Sequence, residues 1–367
     1  MAPVPVRRRR PRERPRPVRI GVIGYGYWGP NLVRNLVETE GAEVAAVSDT
    51  SVERLALVRA RYSKVAVTTD CHDLFADPDI DAIVVATPVA THYRLGMEAL
   101  QANKHLLMSK PLTDSSKSAA TLVRTARERN RVLLVDHTFL YTGAVRKIKE
   151  LVDAGSLGRL QYYDSVRINL GLFQTDVSVL WDLAVHDLSI MDYILADDAL
   201  AVAATGAAHL PGHPANLAYL TCFFAGDLIA HHHVNWLAPV KVRRTLIGGD
   251  RQMIVYDDLE PSEKVKLYDK GVTLRSGQER LYESLVGYRT GDMWAPKVSL
   301  VEGLRTEAQH FVDCIRAGVK PLTDGDAGLR LVRILEAAEE SLRQRGKPVD
   351  IETLESVDPE LPTAGTA

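Results

Sequence analysis

Cysteine is scarce in this chain: three in 367 residues, at Cys71, Cys222 and Cys314. They are widely separated and match no zinc-ligand spacing, so neither a disulfide framework nor a structural metal is expected, and a cytoplasmic, reducing compartment fits. Long apolar runs are missing as well. None approaches the roughly 20 residues that cross a bilayer, so no membrane partner is expected. Net charge is small, at −2, which leaves no overall electrostatic reason for a nucleic-acid or anionic-membrane partner. The exception is local: residues 7–19 are basic and proline-rich, cannot bury apolar surface, and make 1–17 read as a disordered tail. No apolar stretch of the required length follows these arginines before Gly24, so the tail does not read as a secretory leader. No internal repeat is visible.

What is present is an ordinary globular composition, 46% apolar and 25% charged, with length enough for two domains. Residues 18–23 form a short apolar run suited to a strand buried on both faces. It leads into Gly24-x-Gly26-x-x-Gly29, then Pro30 and the helical spacing of Leu32, Val33, Leu36 and Val37. In a strand–turn–helix unit of this kind the first glycine permits the turn and the second lets backbone approach a pyrophosphate. The third lets helix and strand pack closely, and Tyr27 and Trp28 share the turn. Residues 44–49 read as the next strand, ending in Asp49, which lies 20 residues beyond Gly29. A carboxylate there accepts hydrogen bonds from the adenosine ribose and repels a 2′-phosphate. NAD is therefore expected over NADP, with Arg54 the residue that would soften the preference; Asp49 as a simple helix cap is the alternative.

Apolar runs at 81–86, 106–108 and 132–135 alternate with helical patterns at 52–62, 93–101 and 115–130, which predicts a doubly wound parallel sheet over 18–138. Gly24, Thr87-Pro88 and Lys110-Pro111 all fall at strand ends and should line one crevice. Beyond about 140 the pattern changes. After a helix at 143–154, runs at 160–168, 202–208, 218–224, 228–236, 241–247, 251–256 and 264–268 follow with short turns. They predict a C-terminal α+β domain over 139–350 with a large open, mainly antiparallel sheet, whose exposed face should pair into a homodimer or homotetramer. One helix among them carries Asp182 and His186. A last helix, 325–344, is a candidate to pack back on the first domain, and 351–367 read as a flexible tail.

Asp182 and His186 are four apart, which on a helix places both on one face. Oxidising a secondary alcohol requires removal of the hydroxyl proton as hydride leaves the same carbon, and a neutral imidazole suits that task. His186 is thus the candidate general base, Asp182 its support and a substrate contact, and Lys110 an ammonium that stabilises developing alkoxide charge. Lowering of the lysine pKa by burial would exchange the two roles, and the sequence does not separate them. His137 and Tyr141, past a strand end, and Arg167 and Asn169, on the strand before the helix, are candidate substrate contacts; ordinary packing is the alternative. In His231-His-His233 strand alternation turns His232 away from its neighbours, so no metal is expected there. Lys241, Arg243 and Arg244 read as a solvated sheet face, with contact to a substrate diphosphate the alternative.

Taken together, Gly24-x-Gly26-x-x-Gly29, Asp49, Ala86-Thr87-Pro88 with His92, Lys110-Pro111 and Asp182-x-x-x-His186 resemble the Gfo/Idh/MocA oxidoreductase family over roughly 18–350. The family's Glu-Lys-Pro is Ser109-Lys110-Pro111 here, and Val89 stands where an asparagine is common. The resemblance implies cofactor contacts at these loops and a sugar or polyol substrate. Segments 24–31, 179–190 and 240–249 further resemble the branch that oxidises C3 of UDP-N-acetylhexosamines or their uronates. An inositol or other polyol dehydrogenase, a 3-ketosugar reductase, an NAD-dependent glycosidase and a non-catalytic NAD sensor are the alternatives.

Overall fold

The computed structural model describes residues 16–171, 173, 174, 177–195, 197–274 and 286–351, so most of the expected N-terminal tail and nearly all of the C-terminal one lie outside the described residues. The first half runs β1 (Val18–Ile23), α1 (Gly29–Glu38), β2 (Ala42–Ser48), α2 (Val52–Arg61), β3 (Ala66–Thr68), α3 (His72–Ala76), β4 (Ala82–Val85), α4 (His92–Gln101), β5 (His105–Ser109), α5 (Ser116–Glu128) and β6 (Leu133–Asp136). Its six strands are all parallel, in the order β3-β2-β1-β4-β5-β6. β4 is wholly buried and β1 nearly so, as an all-apolar strand needs when helices cover both faces of its sheet. The order reverses between β1 and β4, the switch point outside which such sheets bind ligands in a crevice, and Gly24 and Thr87 follow those two strands.

The second half runs α6 (Gly143–Asp153), β7 (Leu160–Leu170), α7 (Val185–Ile194), β8 (Ala201–Ala207), β9 (Leu217–Phe223), β10 (Ile229–Asn235), β11 (Leu237–Gly249), β12 (Met253–Asp257), β13 (Val265–Leu274), β14 (Val286–Trp294), α8 (Gly303–Ala317), α9 (Gly325–Arg343) and β15 (Val349–Asp350). Nine strands form one sheet, β14-β13-β12-β11-β7-β10-β9-β8-β15, antiparallel except for the central β7–β10 pair. One face is covered by α6, α7 and α9 around a core that includes Tyr163, Leu188 and Trp236. On the other face Tyr219 lies between His231 and His233, while His232 points inward to Ser165, so the alternation expected for the three histidines holds. No helix among the described residues is long and apolar enough to cross a membrane.

Two helices tie the halves together. In α9, Leu329 and Val332 join the core of the first sheet, whereas Leu331, Ile334 and Leu335 join that of the second. α8 falls within the segment expected to build the second domain, yet Leu304, Ala308, Phe311 and Val312 pack on the first sheet. Its apolar spacing is that of an amphipathic helix, and Gly318 ends it in the left-handed region at φ 64°.

Candidate functional site

The glycine turn fits a dinucleotide, and each glycine fits for a different reason. Gly24 has φ +98°, and a Cβ there would lie 2.5 Å from the Ala86 carbonyl oxygen; one on Gly29 would lie 2.3 Å from the Gly24 carbonyl oxygen. Both are demanded by the protein's own packing. A Cβ on Gly26 would meet only the Arg54 guanidinium, at 3.7 Å, so the protein leaves space there that a ligand's phosphates can occupy. No side chain caps α1, whose N-terminus follows this turn, an arrangement that favours an anion. Asp49 is buried and holds the turn from beneath, accepting hydrogen bonds from Tyr25 N at 2.6 Å and Ser51 N at 2.8 Å. Arg54 stands 3.6 Å from the same carboxylate, and Tyr27 is almost fully exposed at the mouth of the turn.

The floor of the crevice is pinned from below. His92 is buried with one ring nitrogen 2.9 Å from the Pro111 carbonyl oxygen and the other 2.9 Å from that of Thr87, so it joins the loops after β4 and β5 and has no ring nitrogen left for a ligand. The Thr87 hydroxyl is 2.6 Å from that of Thr91, and Pro88 precedes a short 3-10 turn over Val89–Thr91. The Lys110–Pro111 peptide is cis. Ser109, which stands where the resembling family carries glutamate, is buried with a hydroxyl that meets no partner.

From this edge Lys110 reaches the second half of the molecule. Its Nζ donates to the Asp182 carbonyl oxygen at 2.7 Å and to Asp182 Oδ1 at 3.0 Å, and the other carboxylate oxygen accepts from Trp236 Nε1 at 3.2 Å. Two of the three ammonium donors are used and the third is free for a substrate oxygen. The contacts give the expected support of the site by Asp182 a specific form. Asp182 lies on a π-helical turn, Leu180–Ala184, that leads into α7, which carries His186. Asp182 serves the lysine, while His186 packs edge-on against Phe139, their ring centroids 5.2 Å apart.

His186 Nδ1 is buried without a partner, which leaves Nε2 to meet a ligand. Burial first, then the nearby charges of Lys110 and Arg167, hold this imidazole well below its ordinary pKa, so it is neutral at pH 7. His137 belongs to the same cluster: it is buried with both ring nitrogens unpartnered, and burial followed by Lys110 pushes it down to about 3. Arg167 lies over the Phe139 ring at 4.5 Å and forms a buried two-point ion pair with Asp187, at 3.0 and 2.8 Å. Asn169 is two residues further along the same strand and half-buried, with its amide beside Gly171 near Trp236. Tyr141 goes elsewhere. It is buried with its hydroxyl 2.9 Å from that of Thr323, which leaves it a packing role toward α8 and α9.

Sequence reasoning missed Phe139, Trp236 and above all Glu307. Trp28 Nε1 and the Thr138 hydroxyl both donate to Asp136 at the end of β6, fixing the glycine turn to that strand end. Against Asp136 lies Glu307 of α8, wholly buried. Burial first, then the facing Asp136, holds its carboxyl well above the usual range, so it carries a proton that it can donate to Asp136. A glutamate on the apolar stripe of a helix, one position before Ala308, is the signal that marks it.

The model of an oxidoreductase family with an NAD-binding Rossmann fold, GFO_IDH_MocA, matches residues 18–137, and that of the GFO/IDH/MocA C-terminal domain matches 145–255. The uncharacterized oxidoreductase YdgJ of Escherichia coli is 31% identical over 306 residues, 78% of this chain and 81% of its own. Myo-inositol 2-dehydrogenase of Thermotoga maritima is 24% identical over 339 residues, 89% of this chain and 97% of its own. Among solved structures, UDP-N-acetylglucosamine 3-dehydrogenase GnnA from Acidithiobacillus ferrooxidans superposes with a TM-score of 0.73 at 24% identity, covering 89% of this chain and 98% of its own. At that identity the likeness concerns the fold.

Gly26→Ala is expected to leave thermal stability within about 1 kcal/mol of the parent while abolishing the quenching of protein fluorescence by NADH. Gly24→Ala is expected to lower stability itself, since its Cβ has no room. Equal stability losses in the two variants would contradict this division. Stability should also depend on acid. His137, pushed to about 3, and His232, pushed to about 4 by burial, each bind a proton more readily when unfolded. The stability they contribute is complete above the ordinary 6.5, declines below it and is gone past the folded values. Urea melts should show a loss of about 2 kcal/mol per imidazole between pH 7 and 5, with a shallower slope in His232→Gln. A flat profile would contradict the buried neutral assignment.

Proposed function

Because the chain belongs to the GFO/IDH/MocA family of NAD-binding oxidoreductases, we propose that it is a NAD-dependent dehydrogenase acting at a secondary alcohol, C3, of a nucleotide-activated amino sugar or uronate. The observation that carries the alcohol chemistry is the convergence of an ammonium from the nucleotide half with a neutral imidazole from the sheet half. Lys110 is held by Asp182, and both Lys110 and Arg167 act on His186. The Gly24–Gly29 turn, Asp49 and the Thr87–Pro88 and Lys110–Pro111 loops would hold the cofactor. When bound, NAD supplies the acceptor for the hydride that leaves the carbinol carbon.

The residues divide the remaining work. The free donor of Lys110 hydrogen-bonds the substrate hydroxyl and stabilises negative charge as the O–H bond breaks. His186, kept neutral beside two cations, accepts the proton at Nε2. Its low pKa makes it a weak base, and the same cations that lower it stabilise the alkoxide, so the proton is shared rather than fully transferred early. Asp182 orients the ammonium, and a Trp236 donor fixes Asp182. His137 adds an uncharged wall beside Lys110.

An inositol or other polyol is the second reading, favoured by the inositol 2-dehydrogenases that recur among the relatives. Asp49 supports NAD over NADP, with Arg54 beside it the residue that moderates the preference. Exposed Tyr219 and Ile229 on the uncovered sheet face support a homodimer or homotetramer, and three free thiols suit the cytoplasm. Lys110→Ala and His186→Ala should each lower kcat at least about 100-fold with NADH affinity changed little, measured by reduced-nicotinamide absorbance over a panel of UDP-sugars, inositols and free hexoses. Full turnover in both variants would overturn the assignment of roles.

A further inference from the structure

Sequence alternation left Arg243 among the solvated cations of β11, but the structure places it on the covered face. Its Cα is directly opposite that of Arg167 in the β11–β7 register. Both guanidinium groups lie over the one ring of Phe139, Arg167 at 4.5 Å and Arg243 at 5.8 Å, and that ring also meets His186. Two like charges directly opposite on one sheet face are unfavourable unless something compensates them. For Arg167 the compensation is complete, through the buried pair with Asp187.

For Arg243 it is not. Its side chain is 31% exposed and makes a single contact with a carboxylate, Nη1 to Asp258 Oδ2 at 3.2 Å. Asp258 is shared: Lys264 Nζ lies 3.6 Å from its other oxygen and also donates to its carbonyl, and the Tyr256 hydroxyl donates to the carboxylate at 3.2 Å. One negative charge thus serves two cations. Arg244, the next residue, points to the opposite face and pairs with Asp257, so the excess charge on the site side belongs to Arg243 and Lys264.

We propose that Arg243 is a specificity-determining residue that binds an oxyanion of the substrate, a sugar carboxylate or a phosphate, while the reacting hydroxyl sits at Lys110 and His186. The planar fork of a guanidinium matches either group through two N–H donors. Phe139 acts as the spacer, fixing the distance between the anion and the imidazole. The inference deepens the dehydrogenase reading by naming the charge its substrate carries, and it rests on that reading for the position of the hydroxyl.

The test pairs substrates that differ by one anion: glucose with glucuronate and with glucose 6-phosphate, and UDP-N-acetylglucosamine, already anionic at its diphosphate, with its uronate. Parent, Arg243→Gln and Arg243→Lys are compared with NAD present. Arg243→Gln should raise KM about 10- to 100-fold for the anionic member that the parent prefers, with a much smaller change for the member lacking that anion and partial recovery in Arg243→Lys. The preferred arm separates carboxylate from phosphate. Calorimetric binding of the same compounds to the NAD-loaded protein separates failures. Arg243-dependent anion binding without NADH formation would sink the dehydrogenase reading and keep this one. Turnover of neutral sugars alone, no anion binding, or equal losses on glucose and its anionic counterparts would overturn the role of Arg243.

Discussion

The contact on which the rest of the site depends is the ion pair between Lys110 and Asp182, with Nζ 3.0 Å from Oδ1. The lysine stands at the end of β5 in the parallel sheet, and the carboxylate stands on the π-helical turn before α7 over the antiparallel one. Both side chains retain about a quarter of their exposure, so the pair contributes under about 1 kcal/mol to folding. Its importance is positional. It sets where a cation from the nucleotide half stands relative to an imidazole from the other half. α9, packed on the cores of both sheets, gives them a common frame in which that position is fixed.

Electrostatics then assigns the roles. Burial first, then the nearby charges of Lys110 and Arg167, keeps the His186 imidazole uncharged, the state that the proposed proton acceptor requires. The same field favours negative charge on a bound alcohol. On the other side of the crevice Asp136 accepts from Trp28 and Thr138, and burial, then the facing Asp136, keeps Glu307 protonated. The cofactor turn and the catalytic cluster thus meet at successive positions of one segment, Asp136, His137, Thr138 and Phe139.

Much of this was legible in the residues. The all-apolar strands, the three glycines and the apolar spacing of the α1 helix are local signals, and they give the parallel sheet, its crevice and the place of Gly24, Thr87 and Lys110. The seven strands read from the second half are present because alternation is also local. What escaped was non-local or depended on phase. The helix α8 was overlooked although Leu304, Ala308, Phe311 and Val312 carry its period, and Glu307 went with it. The partners of Asp182 were also out of reach of a local reading, because Lys110 and Trp236 come from distant segments of the chain. Arg243 was misassigned because the sequence gives no register: Leu237 pairs with Leu170 and Val242 with Ile168, so four residues of β11 bulge out and reset which side chains face the site.

The most direct test of the central claim is a double-mutant cycle on kcat/KM with Lys110→Met, Asp182→Asn and the double variant. If Asp182 acts by holding the ammonium, its loss should cost little once the lysine is gone, and the double variant should be nearly as active as Lys110→Met alone. Losses that multiply, as for two independent groups, would contradict the account.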